Sequence, residues 1–263
     1  MNNEKRAQYG NELYQALKVG KTIEPFTDRE ADITIEDAYH ISLQFVESRV
    51  KDGDRIVGKK IGVTSKAVQD MLNVHQPDFG FITEQMWFKN GETISISENK
   101  LIQPRAEGEI AFKLKKDLVG PGVTEQDVLD ATECVMPCFE IVDSRIHNWQ
   151  IKIQDTVSDN ASCGVFVLGE TEIDPRTVDL PSAQMKVYKN GELISEGVGA
   201  AVQGDPLTAV AWLANTLGEF GIPFKAGEII LSGSLVPLEP VQAGDVMTLE
   251  IEGLGTAAVT FGE

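Results

Sequence analysis

Cysteine is scarce in this 263-residue chain: Cys134, Cys138 and Cys163 are its only three. Few, odd in number and without histidines at zinc-finger spacing, they exclude a disulfide framework and are expected to be small buried hydrophobes. Bases are also scarce. Lys and Arg number 23 against 41 Asp and Glu, a formal charge of −18, which argues against nucleic acid or an anionic membrane as partner because both would be repelled. An anionic small substrate remains possible, since local bases and a bound cation can reverse the potential inside a cleft. The chain has no apolar run near 18 residues and opens on the polar stretch Met1 to Arg6, so neither a membrane span nor a signal peptide is expected, and the default compartment is the cytoplasm. Walker A, G-x-S-x-G and H-E-x-x-H patterns are missing, which leaves nucleotide hydrolysis and serine-hydrolase chemistry unsupported.

Hydrophobic residues make up 42% of the chain and charged residues 24%, enough to bury a sizeable core. The first third reads as helical with loops. Tyr9, Leu13, Ala16 and Leu17 share one face of a helix over 4–18 that ends at Gly20, and Thr34 caps a second helix that runs through Val50. Arg55 to Val63 is strand-like, and Ser65 is placed to cap a short helix from Lys66 to Leu72. From about residue 92 short strands take over, predicted at 93–97, 107–113, 135–142, 164–168, 184–188, 228–232, 245–251 and 256–261. Helices beginning at Thr124 and at Asp205-Pro206 interrupt them. With no linker and no repeat, the expectation is an α+β protein: an α-rich portion over 1–90 that contributes to the site, and a β-rich catalytic portion over 91–263, its strands forming a twisted barrel or rolled sheet.

The most informative segment is Arg105-Ala106-Glu107-Gly108-Glu109-Ile110-Ala111-Phe112. In a strand, alternate side chains share a face, so Glu107 and Glu109 point the same way, roughly 6–7 Å apart along the backbone. Roughly thirty positions on, Glu140 interrupts the apolar run Cys134 to Val142, where an unpaired carboxylate costs several kcal/mol unless a cation, hydrogen bonds or protonation compensates it. Two glutamates at this spacing alone fit a solvated sheet face; the third makes a shared metal site the better reading, and all-oxygen ligands favour Mg²⁺ or Mn²⁺ over zinc.

Other constellations admit two readings each. In Lys59-Lys60, one lysine must face inward if the other faces solvent; Lys60 lies at an edge, or it binds a substrate anion or moves a proton. The segment Val74 to Gly80 reads as a loop because of Pro77 and Gly80, with Asp78 a turn former or a cleft acid and His75 a surface or capping residue. Asp155 to Ser162 is a polar connection or part of a site, and Leu231-Ser232-Gly233-Ser234-Leu235 ends a strand in small residues whose amides could bind a carboxylate.

Gly58-Lys59-Lys60-Ile61-Gly62-Val63-Thr64-Ser65, His75-Gln76-Pro77-Asp78-Phe79-Gly80, Ile102-Gln103-Pro104-Arg105-Ala106-Glu107-Gly108-Glu109, Asp143-Ser144-Arg145, Asp159-Asn160-Ala161-Ser162, Gly244-Asp245 and Gly253-Leu254-Gly255 together resemble the fumarylacetoacetate hydrolase superfamily. Within it the chain is most similar, nearly end to end, to the 2-hydroxypenta-2,4-dienoate hydratases (2-oxopent-4-enoate hydratases) of aromatic meta-cleavage catabolism. The resemblance implies a rolled, mostly antiparallel sheet; Mg²⁺ or Mn²⁺ on Glu107, Glu109 and Glu140; Lys60 and Asp78 as proton-transfer groups with Ser162 as a polar positioning residue; and Gly233 and Ser234 against substrate. It implies a lyase that adds water to 2-hydroxypenta-2,4-dienoate, a homo-oligomer, and a possible complex with 4-oxalocrotonate decarboxylase. Two alternatives are that the chain is itself such a decarboxylase, or a scaffolding subunit of that complex.

Overall fold

The computed structural model describes residues 1–65, 69 and 74–263. Its first portion holds α1 (Asn3–Val19), α2 (Phe26–Arg29) and α3 (Ile35–Lys51). The Asn2 side chain caps α1 by accepting from Lys5 N, and Gly20 stops it in the left-handed conformation at φ 62°. Thr34 and Asp37 form a reciprocal capping box on α3. Except for Gln69, the expected helix from Lys66 to Leu72 falls outside the described residues.

The remaining elements are β1 (Ile56–Gly62), β2 (Asp78–Thr83), β3 (Trp87–Phe88), β4 (Thr93–Ser95), β5 (Arg105–Leu114), α4 (Glu125–Ala131), β6 (Thr132–Val142), α5 (Ile153–Ser158), β7 (Cys163–Leu168), β8 (Gln184–Lys189), β9 (Glu192–Val198), α6 (Pro206–Glu219), β10 (Ile229–Ser234), β11 (Glu239–Pro240), β12 (Val246–Ile251) and β13 (Gly255–Gly262). They build two sheets. The larger runs β2-β1-β10-β5-β6-β7-β3, with β11 added to β5, and the smaller runs β4-β13-β12-β8-β9. Three pairings are parallel, β1 with β10, β3 with β7 and β13 with β4, and the rest are antiparallel.

The larger sheet has to curl. Laid flat, its seven successive strands would separate β2 from β3 by roughly 29 Å. These two edge strands are joined only by the turn Glu84–Met86, a span of at most about 14 Å. The roll brings one face of β1, β2, β5, β6, β7 and β10 inward, where Ile82, Met86, Ala111, Met136, Phe166 and Leu231 pack on one another. The outer face, with Ile61, Phe79, Ile110, Phe112, Phe139 and Ile141, belongs to the main core, shared with α3, α6 and the smaller sheet. Gly108 allows that last contact, because a Cβ there would overlap Met185 and touch Leu249.

Residues 56–62 and 78–83 hydrogen-bond into the larger sheet, so chain on both sides of residue 90 builds it. One local expectation is corrected, and the condition set for the paired lysines is not met. Val74 to Gly80 is not all loop: Asp78 opens a wholly buried strand, and Gly80 is needed within it because a Cβ would overlap the Asn160 carbonyl. Lys59 does not face solvent. Both faces of β1 are covered, and Lys59 pairs with Glu228 on the outer side, its ammonium 5.1 Å from the Phe224 ring centroid.

Candidate metal and proton-transfer site

At one end of the roll the interior changes from apolar to acidic. β5 and β6 pair so that Glu107 lies opposite Glu140 and Glu109 opposite Cys138, and antiparallel register puts all of these on the inner face. One carboxylate oxygen from each of Glu107, Glu109 and Glu140 lies within 4.8 Å of the others. Oxygens bound to one hard cation at about 2.0–2.6 Å are separated by no more than roughly 4–5 Å, so a single ion can reach all three.

The hydrogen bonding fits a cation as well. Glu109 Oε2 accepts from Gly233 N at 2.8 Å, while Glu109 Oε1 and both oxygens of Glu140 are buried without a hydrogen-bond partner. Burial and then the Glu140 charge push the Glu107 carboxyl up to about 8; the same two causes hold Glu109 well above the ordinary range. The buried Glu109 and Glu140, with orphaned oxygens, facing a half-buried Glu107 are costly on their own. A divalent cation removes both the repulsion and the missing contacts, so the residues present fit Mg²⁺ or Mn²⁺.

Lys60 reaches into this end, with Nζ 3.2 Å from Glu140 Oε1. Burial would depress its ammonium, but Glu140, Asp78 and Glu107 outweigh burial and raise it, so it is charged. Asp78 comes from the neighbouring strand, where it pairs with Gly62. A Cβ on Gly62 would overlap the Asp78 carboxyl and lie 3.3 Å from Lys60 Nζ. The glycine is therefore the gap over which acid and base meet. Burial pushes Asp78 up to about 6, with Glu140 adding to the rise and Lys60 opposing it, and its Oδ1 has no hydrogen-bond partner.

The other expected residues surround this centre. Gly233 N is already given to Glu109, so the carboxylate that the small-residue turn binds is the protein's own. Ser234 Oγ donates to Val236 O at 2.6 Å. Ser162 is buried with its hydroxyl 3.1 Å from Thr156 Oγ1, and its carbonyl accepts from Asp143 N at 2.8 Å. Its turn is unusual: Asn160, Ala161 and Ser162 all have φ near +50°, each costing about 1–2 kcal/mol. Asn160 anchors it by bonding both N and O of Phe81 in β2, and Arg145 braces it through Asp159 at 2.6 Å. His75 is exposed, and all three cysteines are free and buried, as expected.

Sequence reading missed Gly62, Thr64 and Tyr39. Thr64 fills the space a Gly233 side chain would take. Tyr39 stacks on Phe79 at 4.3 Å between ring centroids and lines, with Asp78, a cavity of about 330 Å³. Glycines flanking a lysine in a buried strand were the available signal for Gly62; the other two depend on contacts distant in sequence.

The family model for the fumarylacetoacetate (FAA) hydrolase C-terminal region matches residues 55–261. A 2-hydroxyhexa-2,4-dienoate hydratase of Comamonas testosteroni is 63% identical over 97% of this chain and 96% of its own length. A 2-hydroxypent-2,4-dienoate hydratase of Pseudomonas putida is 65% identical over 82% of this chain and 96% of its own. Among solved structures, a 4-oxalocrotonate decarboxylase from Pseudomonas putida G7, complexed with magnesium and adipate, superimposes with TM-score 0.95 at 34% identity, covering 99% of this chain and 98% of that one. The chain belongs to the fumarylacetoacetate hydrolase family, among its 2-hydroxydienoate hydratases.

Proposed function

We propose that this chain adds water to 2-hydroxypenta-2,4-dienoate, giving 4-hydroxy-2-oxopentanoate, in aromatic meta-cleavage catabolism. The observation that carries the reading is the joining, at one buried end of the roll, of three carboxylates fit for a cation with a charged lysine and an acid poised near neutral pH. Identity of 63–65% to named hydratases, against 34% to the decarboxylase, supports hydration over decarboxylation.

Glu107, Glu109 and Glu140 would hold Mg²⁺ or Mn²⁺, with Gly233 N orienting Glu109 and Lys60 orienting Glu140. When bound, the ion supplies Lewis-acid stabilisation of negative charge on the C2 oxygen of a 2-hydroxy or 2-oxo acid. Lys60 and Asp78 share the proton transfers. The enol proton leaves and C5 gains one; then the oxygen of water bonds to C4 and a proton ends on C3. An acid raised to about 6 exchanges protons efficiently near neutral pH. Ser162 positions the α5 side of the cleft through Thr156, and Gly233 with Ser234 would flank the substrate beside Glu109, which Gly233 N holds.

Among the described residues no helix is long and apolar enough to cross a membrane, and a cytoplasmic homo-oligomer, able to associate with 4-oxalocrotonate decarboxylase, is part of the proposal. The test is spectrophotometric: loss of diene absorbance without CO₂ is expected with 2-hydroxypenta-2,4-dienoate. Dominant CO₂ release from 4-oxalocrotonate would instead make the chain a decarboxylase, and unchanged activity of the decarboxylase partner when this chain carries Glu107→Gln, with no hydration by the wild type, would make it a scaffold.

A further inference from the structure

The cavity beside Asp78 is walled by Ile35, Tyr39, Val74, Ile153 and Val157, and its lining also includes Pro77 and the exposed polar residues His75 and Gln76. Val74, Ile153, Val157 and Tyr39 are themselves buried, and the tyrosine ring is fixed by its stack on Phe79. Asp78 is the residue the cavity shares with the acidic end of the roll. We infer that this cavity receives the far end of the substrate chain, beyond C5, and selects an uncharged alkyl end over a second carboxylate.

The inference rests on the hydratase reading, which fixes the direction of the substrate. The carboxylate and C2 oxygen lie at the three glutamates, and C5, where a proton is delivered, must come within reach of Lys60 and Asp78. These groups succeed one another: Lys60 Nζ is 3.2 Å from Glu140, and Lys60 meets Asp78 across Gly62. Carbons added after C5 therefore continue past Asp78 into its cavity. There a methyl group would meet aliphatic and aromatic surface, which favours its transfer from water. A carboxylate would lose its hydration beside the Asp78 carboxyl, whose Oδ1 already lacks a partner. The volume of about 330 Å³ leaves room for more than the five-carbon acid requires.

The test uses the full-length protein with Mg²⁺, titrating 2-oxopentanoate, 2-oxohexanoate and 2-oxohexanedioate by calorimetry, beside kcat/KM for the five- and six-carbon dienoates. For wild type, 2-oxohexanoate is expected to bind at least as tightly as 2-oxopentanoate and the dioate roughly 100-fold more weakly than 2-oxohexanoate. Ile35→Phe, and independently Ile153→Phe, should lower the six-to-five-carbon ratio roughly tenfold in both binding and kcat/KM, and Ile35→Arg should narrow the gap between mono- and diacid by a similar factor. Equal wild-type binding of dioate and 2-oxohexanoate, or ratios that stay fixed in variants retaining the wild-type circular dichroism spectrum, would overturn the inference. A wild type that binds the oxo acids in the expected order but hydrates neither dienoate would sink the hydratase reading while leaving the pocket standing.

Discussion

The two ends of the roll interior share the same strands and the same inward face, yet they do opposite things to the molecule. At one end Ile82, Met136 and Ile229 belong to one buried apolar cluster. At the other, two residues from Ala111 on β5 and four from Met136 on β6, Glu109 and Glu140 bury oxygens with no hydrogen-bond partner. The first end holds the sheet in its curl; the second draws on that stability to keep three acids together within the reach of one cation. Function in this fold thus consists of exchanging side chains at fixed positions of one barrel-like surface, with no change of backbone plan.

The largest effect that would break this division is at Glu140. Glu140→Gln keeps the shape but removes a charge that both the cation and Lys60 use, so kcat/KM should fall by roughly 10³ or more. The rise in unfolding temperature on adding Mg²⁺ should disappear with it. A variant that keeps half its activity, or its Mg²⁺-dependent rise, would show that the ion does not sit on these acids.

The dry end should answer differently. Met136 is buried in the apolar cluster opposite Ala111, so Met136→Ala should cost about 2–5 kcal/mol in urea unfolding, by the same amount with or without Mg²⁺ once linkage to the ion is subtracted. A cost below 1 kcal/mol would mean that the roll is not held by this cluster.

Asp78 lies at the turnover from structure to chemistry and gives a pH signature. Its folded value of about 6 lies above the unfolded value of about 3.8, so folding favours the protonated acid. That contribution is present in full below pH 4 and is lost as pH rises through 6, a change of roughly 3 kcal/mol. In the metal-free protein, Asp78→Asn should therefore be more stable than wild type at pH 7, by up to about 3 kcal/mol, with the gap closing by pH 4. The same variant should turn over roughly 10²–10⁴ times more slowly. Urea titrations in chelator at the two pH values decide it; a variant less stable than wild type at pH 7 would show that Asp78 is folded as a satisfied carboxylate.

How much of this division could be read from sequence depends on the range of the interaction. Alternation along β5 placed Glu107 and Glu109 on one face, and the apolar run around Glu140 marked it as buried, because both signals are local to a strand. The four capped helices, at Asn2, Thr34, Thr124 and Asp205, were likewise legible in whole or part from cap residues. The β9 strand was missed although Asn190-Gly191 before it, both with positive φ, is a strong hairpin signal; its own residues are exposed and show no alternation. The burial of Lys59 was not readable because period-two reasoning supposes one wet face, and β1 has none. Tyr39 had no local signature and Gly62 only that of a glycine near a lysine in a strand, since what they do depends on Asp78 arriving from another strand.

The smallest effect sharpens the border itself. Cys138 lies opposite Glu109 on the inner face, the last apolar side chain before the acids. Burial first, then the charges of Glu109 and Glu140, push its thiol well above the ordinary range, so it carries no thiolate for nucleophilic or ligand chemistry. Its contribution is volume. Cys138→Ala should cost about 1 kcal/mol of stability, as deletion of one small buried group does, and should leave kcat/KM within roughly threefold, because cross-strand neighbours on the inner face hold Glu109 through Gly233 N and not through sulfur. Thiol-specific reagents should leave the native enzyme active for the same reason. A tenfold loss of activity in Cys138→Ala with unchanged stability would move the border one residue further into the apolar end and make the sulfur part of the acid site.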